Sequence, residues 1–323
     1  MRAPDFWTRP AGLLSAALAP LAAAYDLAGR LRRSLVRPTR VAVPVLCVGN
    51  LVAGGAGKTP VAIALAERLA GRGRAPHLIS RGYGGREAGP LRIDPAAHSA
   101  ARVGDEPLLL ARVAPAWVAR DRVAGARAAI DAGADCLLLD DGFQNPRLAK
   151  DLSLVVVDGE SGFGNGRVMP AGPLRESIAQ GLARADAVVL IGDDSRDLAS
   201  RLPPGLPLLH ARLLPAAEAE DLRGEAVLAF AGIGRPEKLF ATLRGLGARL
   251  VESRAFPDHH PYSTAEVEAL LTAAADLGAV AVTTEKDAVR LPSAQRARVR
   301  SLGVVLQWAD ETALDSLLDA AGL

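Results

Sequence analysis

The chain alternates between two hydrophobic periods. Unbroken apolar runs occur at 43–48 (VPVLCV), 75–79, 116–119, 135–139 (DCLLL), 152–157 (LSLVVV) and 186–191 (DAVVLI). Helical patterns lie between them, at 59–72, 105–113, 121–132 and 174–184. A strand that is apolar on both faces must be covered on both faces. Such strands separated by helices therefore predict a mainly parallel sheet with helices on each side. Pro- and Gly-rich segments, PPGLP and PAAEAEDLRG, bracket a short apolar run, LLHARLL, and suggest a boundary near 203–224. A second series follows: a strand at 226–230 (AVLAF), a helix from 236, a strand near 248–252, a helix at 264–277, strands at 279–283 and 303–307, and a helix from 310. The expectation is an α/β protein with a region of its own at 1–40, a larger domain over 41–210, and a smaller α/β domain over 222–323 that closes on it. A ligand cleft between the two domains is expected.

Composition changes this picture little. At 323 residues, half of them hydrophobic, the chain can bury a sizeable core. A net charge of +2 does not suggest a nucleic-acid binder. Cys47 and Cys136 sit in apolar runs without zinc spacing, as buried thiols in a reducing compartment do. Charge is concentrated at the start. Arg2, Arg9, Arg30, Arg32, Arg33, Arg37 and Arg40 face only Asp5 and Asp26. Within this region, AGLLSAALAPLAAAY (11–25) carries no charge. As a helix it covers about 22 Å, short of the roughly 30 Å hydrocarbon core of a bilayer. A signal peptide is set aside, because the motifs downstream need cytosolic nucleotide. Two readings stay open: a helix lying in the membrane interface, with Trp7 and the arginines at headgroup level, or a helix packed on the protein's own core. The first is carried forward.

The stretch VGNLVAGGAGKTP (48–60) has the context of a phosphate loop: an apolar strand, a glycine-rich turn, then a helix. Val52 occupies the position where the strict P-loop spelling has its first glycine. That is no obstacle, because the phosphate cradle is made of backbone N–H groups, supplied here by Gly54, Gly55, Ala56 and Gly57. Lys58 would reach the β- and γ-phosphates, and the Thr59 hydroxyl would ligate Mg²⁺. CLLLDDGFQ (136–144) supplies the expected partner, a strand ending in Asp140 and Asp141, one of which would help hold the metal.

Other segments are weaker signals taken singly. SRGYGG (80–85) offers Arg81 to a phosphate. VGDEP (103–107) puts Asp105 and Glu106 in a first helical turn, where macrodipole compensation is the plain reading. FPDHHPYS (256–263) holds the sole His pair and suits either a polar loop or a general base. TTEKDAVRL (283–291) places Lys286 and Asp287 just past a strand, but in the wrong order for a guanine reader, so GTP specificity does not follow. NGRVMPAGPLRES (165–177) carries Arg167, Arg175 and Glu176 into a helix.

Taken in order, VGNLVAGGAGKTP, SRGYGG, VGDEP, DDGFQ, MPAGPLRE, AGIGRPEKLF, FPDHH and TTEKDAV resemble the tetraacyldisaccharide 4'-kinases of lipid A biosynthesis from about 45 to 290. That family's loop often carries hydroxyl residues where Val52 and Ala56 stand. The resemblance implies a P-loop NTPase-like core and an ATP- and Mg²⁺-dependent kinase. Its acceptor would be the 4'-hydroxyl of a tetraacyldisaccharide 1-phosphate, and its product lipid IVA. The enzyme would be a monomer, peripheral at the cytoplasmic face of the inner membrane through the N-terminal helix. It further implies that an Asp of GDEP and a His of DHH act on the acceptor: by position Asp105 and His259, with His260 as the alternative. Arg81, Tyr83, Gln144, Arg175 and Glu176 are expected to meet the sugar headgroup. The rival is a membrane-associated P-loop ATPase or GTPase switch.

Overall fold

The structure, a computed structural model, describes residues 4–323, so Arg2 lies outside the described residues. Among the described residues, thirteen strands form two sheets. The larger is built from β1 (Val45–Gly49), β2 (Pro76–Ser80), β3 (Leu91–Arg92), β4 (Ala116–Val118), β5 (Cys136–Asp140), β6 (Leu152–Asp158), β7 (Ala187–Ile191) and β8 (Leu208–Pro215). The smaller contains β9 (Ala226–Ala231), β10 (Arg249–Ala255), β11 (Val280–Thr284) and β12 (Arg300–Leu302). The last strand, β13 (Val304–Trp308), joins the large sheet, whose order is β13-β8-β7-β6-β1-β5-β2-β4-β3. Pairing in this sheet is parallel except at its two edges, β13 on β8 and β3 on β4. The small sheet is parallel, in the order β10-β9-β11-β12.

The continuous apolar runs are explained by two cores. Along β1, Leu46 and Val48 face one core with Leu65, Leu69 and Leu138, while Val45 and Cys47 face the other with Leu139, Phe143 and Val157. Successive side chains of a strand point to opposite faces, so covering both faces requires every position to be apolar.

Three expectations change. The apolar run assigned to a boundary is β8, a full member of the large sheet. The unit after residue 222 does not keep all of its chain: β13 returns to pair with β8, Leu306 opposite Leu213. The helix Glu311–Ala320 then buries Leu314 and Leu318 in the large domain's core. Arg68 pairs with Asp315 at 2.5 Å and with Glu311 at 2.7 Å, fixing that helix. The small unit therefore reaches only to β12. The helix read over 174–184 shrinks to Ile178–Leu182, because Leu174 bridges to Val52 and to Val168 instead.

The N-terminal segment forms helices Leu13–Ala17 and Ala19–Leu35. Their inner side is tied to 171–180: Ser15 Oγ donates to Ala171 O at 2.7 Å, and Asp26 accepts from Ser177 N at 3.2 Å. Their outer side leaves Leu14, Leu21, Leu27 and Leu31 exposed, with Leu13 at 91% and Leu35 at 83%. One face thus packs on the protein, as the second reading expects, and the other carries exposed leucines. Among the described residues, no helix is long and apolar enough to cross a membrane.

Candidate active site

The phosphate loop leaves β1 at Gly49 and enters the helix Lys58–Gly71. Gly57 has φ +86°, a left-handed conformation, and a Cβ there would come within 2.5 Å of Ile191 Cδ1. Glycine is required at that turn. Val52 has a different task. It bridges to Leu174 while Ala53 N donates to Pro173 O at 2.7 Å, so the first half of the loop is clamped to the 168–174 segment. Asn50 Nδ2 donates to Gly54 O at 3.3 Å and holds the second half. The N–H groups at the start of the following helix, with its partial positive charge, favour an anion.

β5 delivers Asp140 beside this helix. Thr59 Oγ1 donates to Asp140 Oδ2 at 3.3 Å. Asp140 Oδ1 is buried with no hydrogen-bond partner among the described residues. A buried carboxylate oxygen without a partner is costly unless a cation meets it. Burial, reinforced by the charge of Glu106, pushes Asp140 up to about 7. An oxygen-only donor set with a carboxylate and a hydroxyl suits Mg²⁺. Asp141 turns elsewhere: Arg175 donates to it at 2.7 Å, and Lys58 Nζ lies 3.8 Å away. Burial raises its pKa, but Lys58 and Arg175 outweigh that and keep it below the usual carboxylate range.

Gln144 and Glu176, expected to meet the substrate, are built into the scaffold. Gln144 donates to Asn50 O at 2.9 Å and accepts from Arg175 at 3.2 Å. Glu176 is 1% exposed; it accepts from Gln144 at 3.2 Å and pairs with Arg184 and, at 3.4 Å, with Arg33 of the N-terminal helix. Both residues hold the loop and Arg175 in place. Arg81 and Tyr83 are exposed, the latter 66%, and the Tyr83 ring lies 5.3 Å from the His259 ring.

The helix Asp105–Leu110 starts after Gly104, whose φ of +93° turns Asp105 inward. Asp105 Oδ1 accepts from Glu106 N at 2.9 Å, and its Oδ2 meets His259 Nδ1 at 2.8 Å. Arg290 Nε lies 3.4 Å from the same oxygen. Burial raises the Asp105 pKa, but the hydrogen bond from His259 and the charges of Lys286, His259 and Arg290 outweigh it, leaving the carboxyl below its usual range. His259 sits in the loop after β10 at φ +58°, with its N–H donating to Gly232 O at 3.0 Å. His260 points away. It pairs with Glu266 at 3.0 Å and packs on Phe256 and Tyr262.

Sequence reading missed how TTEKDAVRL contributes. Asp287 is fully buried and accepts from Gly232 N and Tyr262 Oη, each at 2.8 Å, while Arg290 pairs with it at 2.8 Å. This network anchors the His259 loop. Lys286 reaches across to Glu106 at 3.1 Å. A second bridge between the units lies at the end of β6, where Arg235 and Lys238 meet Asp158 at 2.5 and 2.6 Å. Arg235 and Lys238 fall within AGIGRPEKLF and Asp287 and Arg290 within TTEKDAVRL, whereas Asp158 lies in no motif of the series.

A family model described as tetraacyldisaccharide-1-P 4'-kinase matches residues 14–322. A tetraacyldisaccharide 4'-kinase of Rhodospirillum centenum is 61% identical over 98% of this chain and 96% of its own length. One from Paramagnetospirillum magneticum is 57% identical over 100% of this chain and 99% of its own. Among solved structures, the crystal structure of Aquifex aeolicus LpxK in complex with ATP superposes with a TM-score of 0.77 at 26% identity, covering 96% of this chain and 99% of that one.

Proposed function

Because the chain belongs to the tetraacyldisaccharide 4'-kinase family, we propose that its reaction runs in the cleft between the phosphate loop and the Asp105–His259 pair. The enzyme uses ATP and Mg²⁺ and transfers the γ-phosphate to the 4'-hydroxyl of a tetraacyldisaccharide 1-phosphate, a step of lipid A biosynthesis that yields lipid IVA. The observation that carries the residue assignment is the 2.8 Å contact of His259 with Asp105, on a helix whose Leu108 and Leu110 share a core with Val61 and Leu65 of the helix that follows the phosphate loop.

The N–H groups of Gly54–Thr59 cradle the phosphates, and Lys58 neutralises the β- and γ-phosphate oxygens. Thr59 and Asp140 would hold Mg²⁺, which when bound offsets charge on the phosphates. Arg175, held by Asp141 and Gln144, faces the same region. Asp105 is 3% exposed while the His259 side chain is 26% exposed, so the imidazole is the member of the pair that meets the acceptor. Asp105 holds Nδ1, and Nε2 takes the proton of the 4'-hydroxyl as its oxygen attacks the γ-phosphorus. Arg81 and Tyr83 border His259 and receive the headgroup.

The exposed leucines of the N-terminal helices, flanked by exposed Arg9, Arg30, Arg32 and Arg37, lie on the membrane surface and present the acylated acceptor to the cleft. ATP being cytosolic, that surface is the cytoplasmic face of the inner membrane. The protein acts as a monomer. A P-loop switch is disfavoured because it would have no use for a base aligned beside the nucleotide. The deciding experiment is mass spectrometry of the lipid after incubation with ATP. A product carrying one new phosphate at the 4' position is expected; ATP hydrolysis that leaves the lipid unchanged would overturn the reading.

A further inference from the structure

Asp105, Glu106 and His259 each present a ligand atom within 4.8 Å of the others. Lys286 faces two of them, and Arg290 faces Asp105. Lys286 Nζ lies 3.1 Å from Glu106 Oε1 and 3.5 Å from His259 Nε2. Burial lowers the Lys286 pKa, but the charges of Glu106, Asp105 and Asp258 outweigh it, and the group stays an ammonium. An ammonium has donors and no lone pair. The ring nitrogen that faces it must therefore present its own lone pair, and the ring proton belongs on Nδ1, which faces the Asp105 carboxylate. The two contacts select the same tautomer.

We propose that Lys286 is a positioning residue that keeps His259 Nε2 free of a proton, so that the Asp105–His259 pair stands ready to accept the proton of the acceptor hydroxyl. The proposal rests on the assignment of His259 as the base. The charged groups around the ring are Asp105 and Glu106 from the helix Asp105–Leu110, Asp258 on its own loop with Oδ1 3.9 Å from Nε2, and Lys286 and Arg290 from the segment after β11. The exposed Tyr83 ring lies 5.3 Å from the imidazole. Three carboxylates stand against two cations. Without Lys286 the excess negative charge draws a second proton onto the ring, and an imidazolium cannot take one from an alcohol.

Glu106 fixes the ammonium independently of any ligand, so the arrangement exists before the acceptor arrives. In the transfer, the acceptor O–H bond breaks and its proton goes to Nε2. The oxygen lone pair forms the new bond to the γ-phosphorus. The bond from that phosphorus to the bridging oxygen breaks, and its electron pair leaves on ADP. Lys286 enters none of these bonds.

The test is ¹⁵N NMR of histidine-labelled full-length enzyme at rest, at pH 7, without lipid. The chain has five histidines, and His259→Asn identifies the resonance by its loss. Wild type is expected to show His259 protonated at Nδ1 alone. In Lys286→Met, Nε2 should gain a proton, and kcat should fall about tenfold or more with both KM values changed by less than about twofold. Rate should recover as pH rises, which a merely structural defect would not produce. Lys286→Arg keeps a cation there and should keep the Nδ1–H form and most of the rate. A wild-type His259 protonated at Nε2, or an unchanged His259 signal in Lys286→Met, would overturn the proposal. Normal turnover by His259→Ala would instead remove the base assignment, a result distinguishable because the spectrum needs no turnover.

Discussion

His259 Nδ1 and Asp105 Oδ2 lie 2.8 Å apart although 154 residues separate them and their flanking strands belong to different sheets. The contact unites a buried carboxylate with a partly exposed imidazole, the arrangement a positioned general base requires. His259→Ala is therefore expected to lower kcat by about 10²–10⁴-fold with little change in the KM for ATP. Asp105→Asn should fall in the same range, and the double variant should be barely worse than either single one, since the two residues act as a unit. Steady-state kinetics with lipid acceptor check this; effects that multiply would sink it.

Asp140 and Asp141 are neighbours in sequence with different partners, one on Thr59 and the other on Arg175. Asp140→Asn should raise the Mg²⁺ concentration needed for half-maximal rate by about tenfold or more, whereas Asp141→Asn should leave that value nearly unchanged and weaken acceptor turnover through Arg175. Lys58→Ala should cost more rate than His259→Ala, because charge neutralisation dominates phosphoryl transfer. A Mg²⁺ titration of the rate for each variant separates the roles. Equal metal dependence in the two aspartate variants would contradict the assignment of Asp140.

Much of this was legible in sequence where a local rule applied. The buried strands β1, β5, β6 and β7 announce themselves as apolar runs, and the phosphate loop as glycines between a strand and a helix. What failed to show depends on pairing at a distance. β13 is a readable strand, but nothing local says that Leu306 pairs with Leu213 rather than within the small sheet. Glu176 looks like a surface acid at the end of a Pro-rich loop; its burial comes from Arg33 and Arg184, arriving from before and after it in the chain. The choice of His259 over His260 is likewise tertiary, because Glu266 engages one ring and Asp105 the other.

Glu176 sets up a third expectation. Removing its charge leaves Arg184 and Arg33 without their partner at a buried site. Glu176→Gln should destabilise the protein by about 2 kcal/mol. It should also loosen the N-terminal helix, measurable as faster amide exchange over 19–35. A variant that unfolds like wild type but binds acceptor poorly would return Glu176 to the substrate set.

The outer leucines give a fourth. Burying a leucine side chain in an apolar phase is worth on the order of 1.5–3 kcal/mol. Replacing Leu13, Leu21 and Leu35 together with Ser should reduce binding to anionic vesicles by at least about tenfold. Turnover of detergent-dispersed acceptor should remain close to wild type, because the inner face of the helix is untouched. Added salt should weaken wild-type binding further, through the exposed arginines. Vesicle co-sedimentation reads all of this, and unchanged binding by the triple variant would exclude this face as the contact.

The bridge at the end of β6 supplies a pH test. Burial raises the Asp158 pKa, but hydrogen bonds from Arg235, Lys238 and the Ser161 backbone outweigh it and hold the carboxyl far below its usual range. A depressed folded-state pKa contributes stability that is fully present above the unfolded value of about 3.9 and is lost only as pH falls through the lower folded value. Asp158→Asn should therefore cost the same at pH 8 and at pH 5, about 1 kcal/mol once solvent screening at the half-exposed Lys238 is allowed for. The gap between variant and wild type should close only below about pH 3.9. Denaturant unfolding across that range measures it. A gap that already shrinks between pH 8 and pH 5 would show that the ion pair to Arg235 and Lys238 does not hold the two units together in solution.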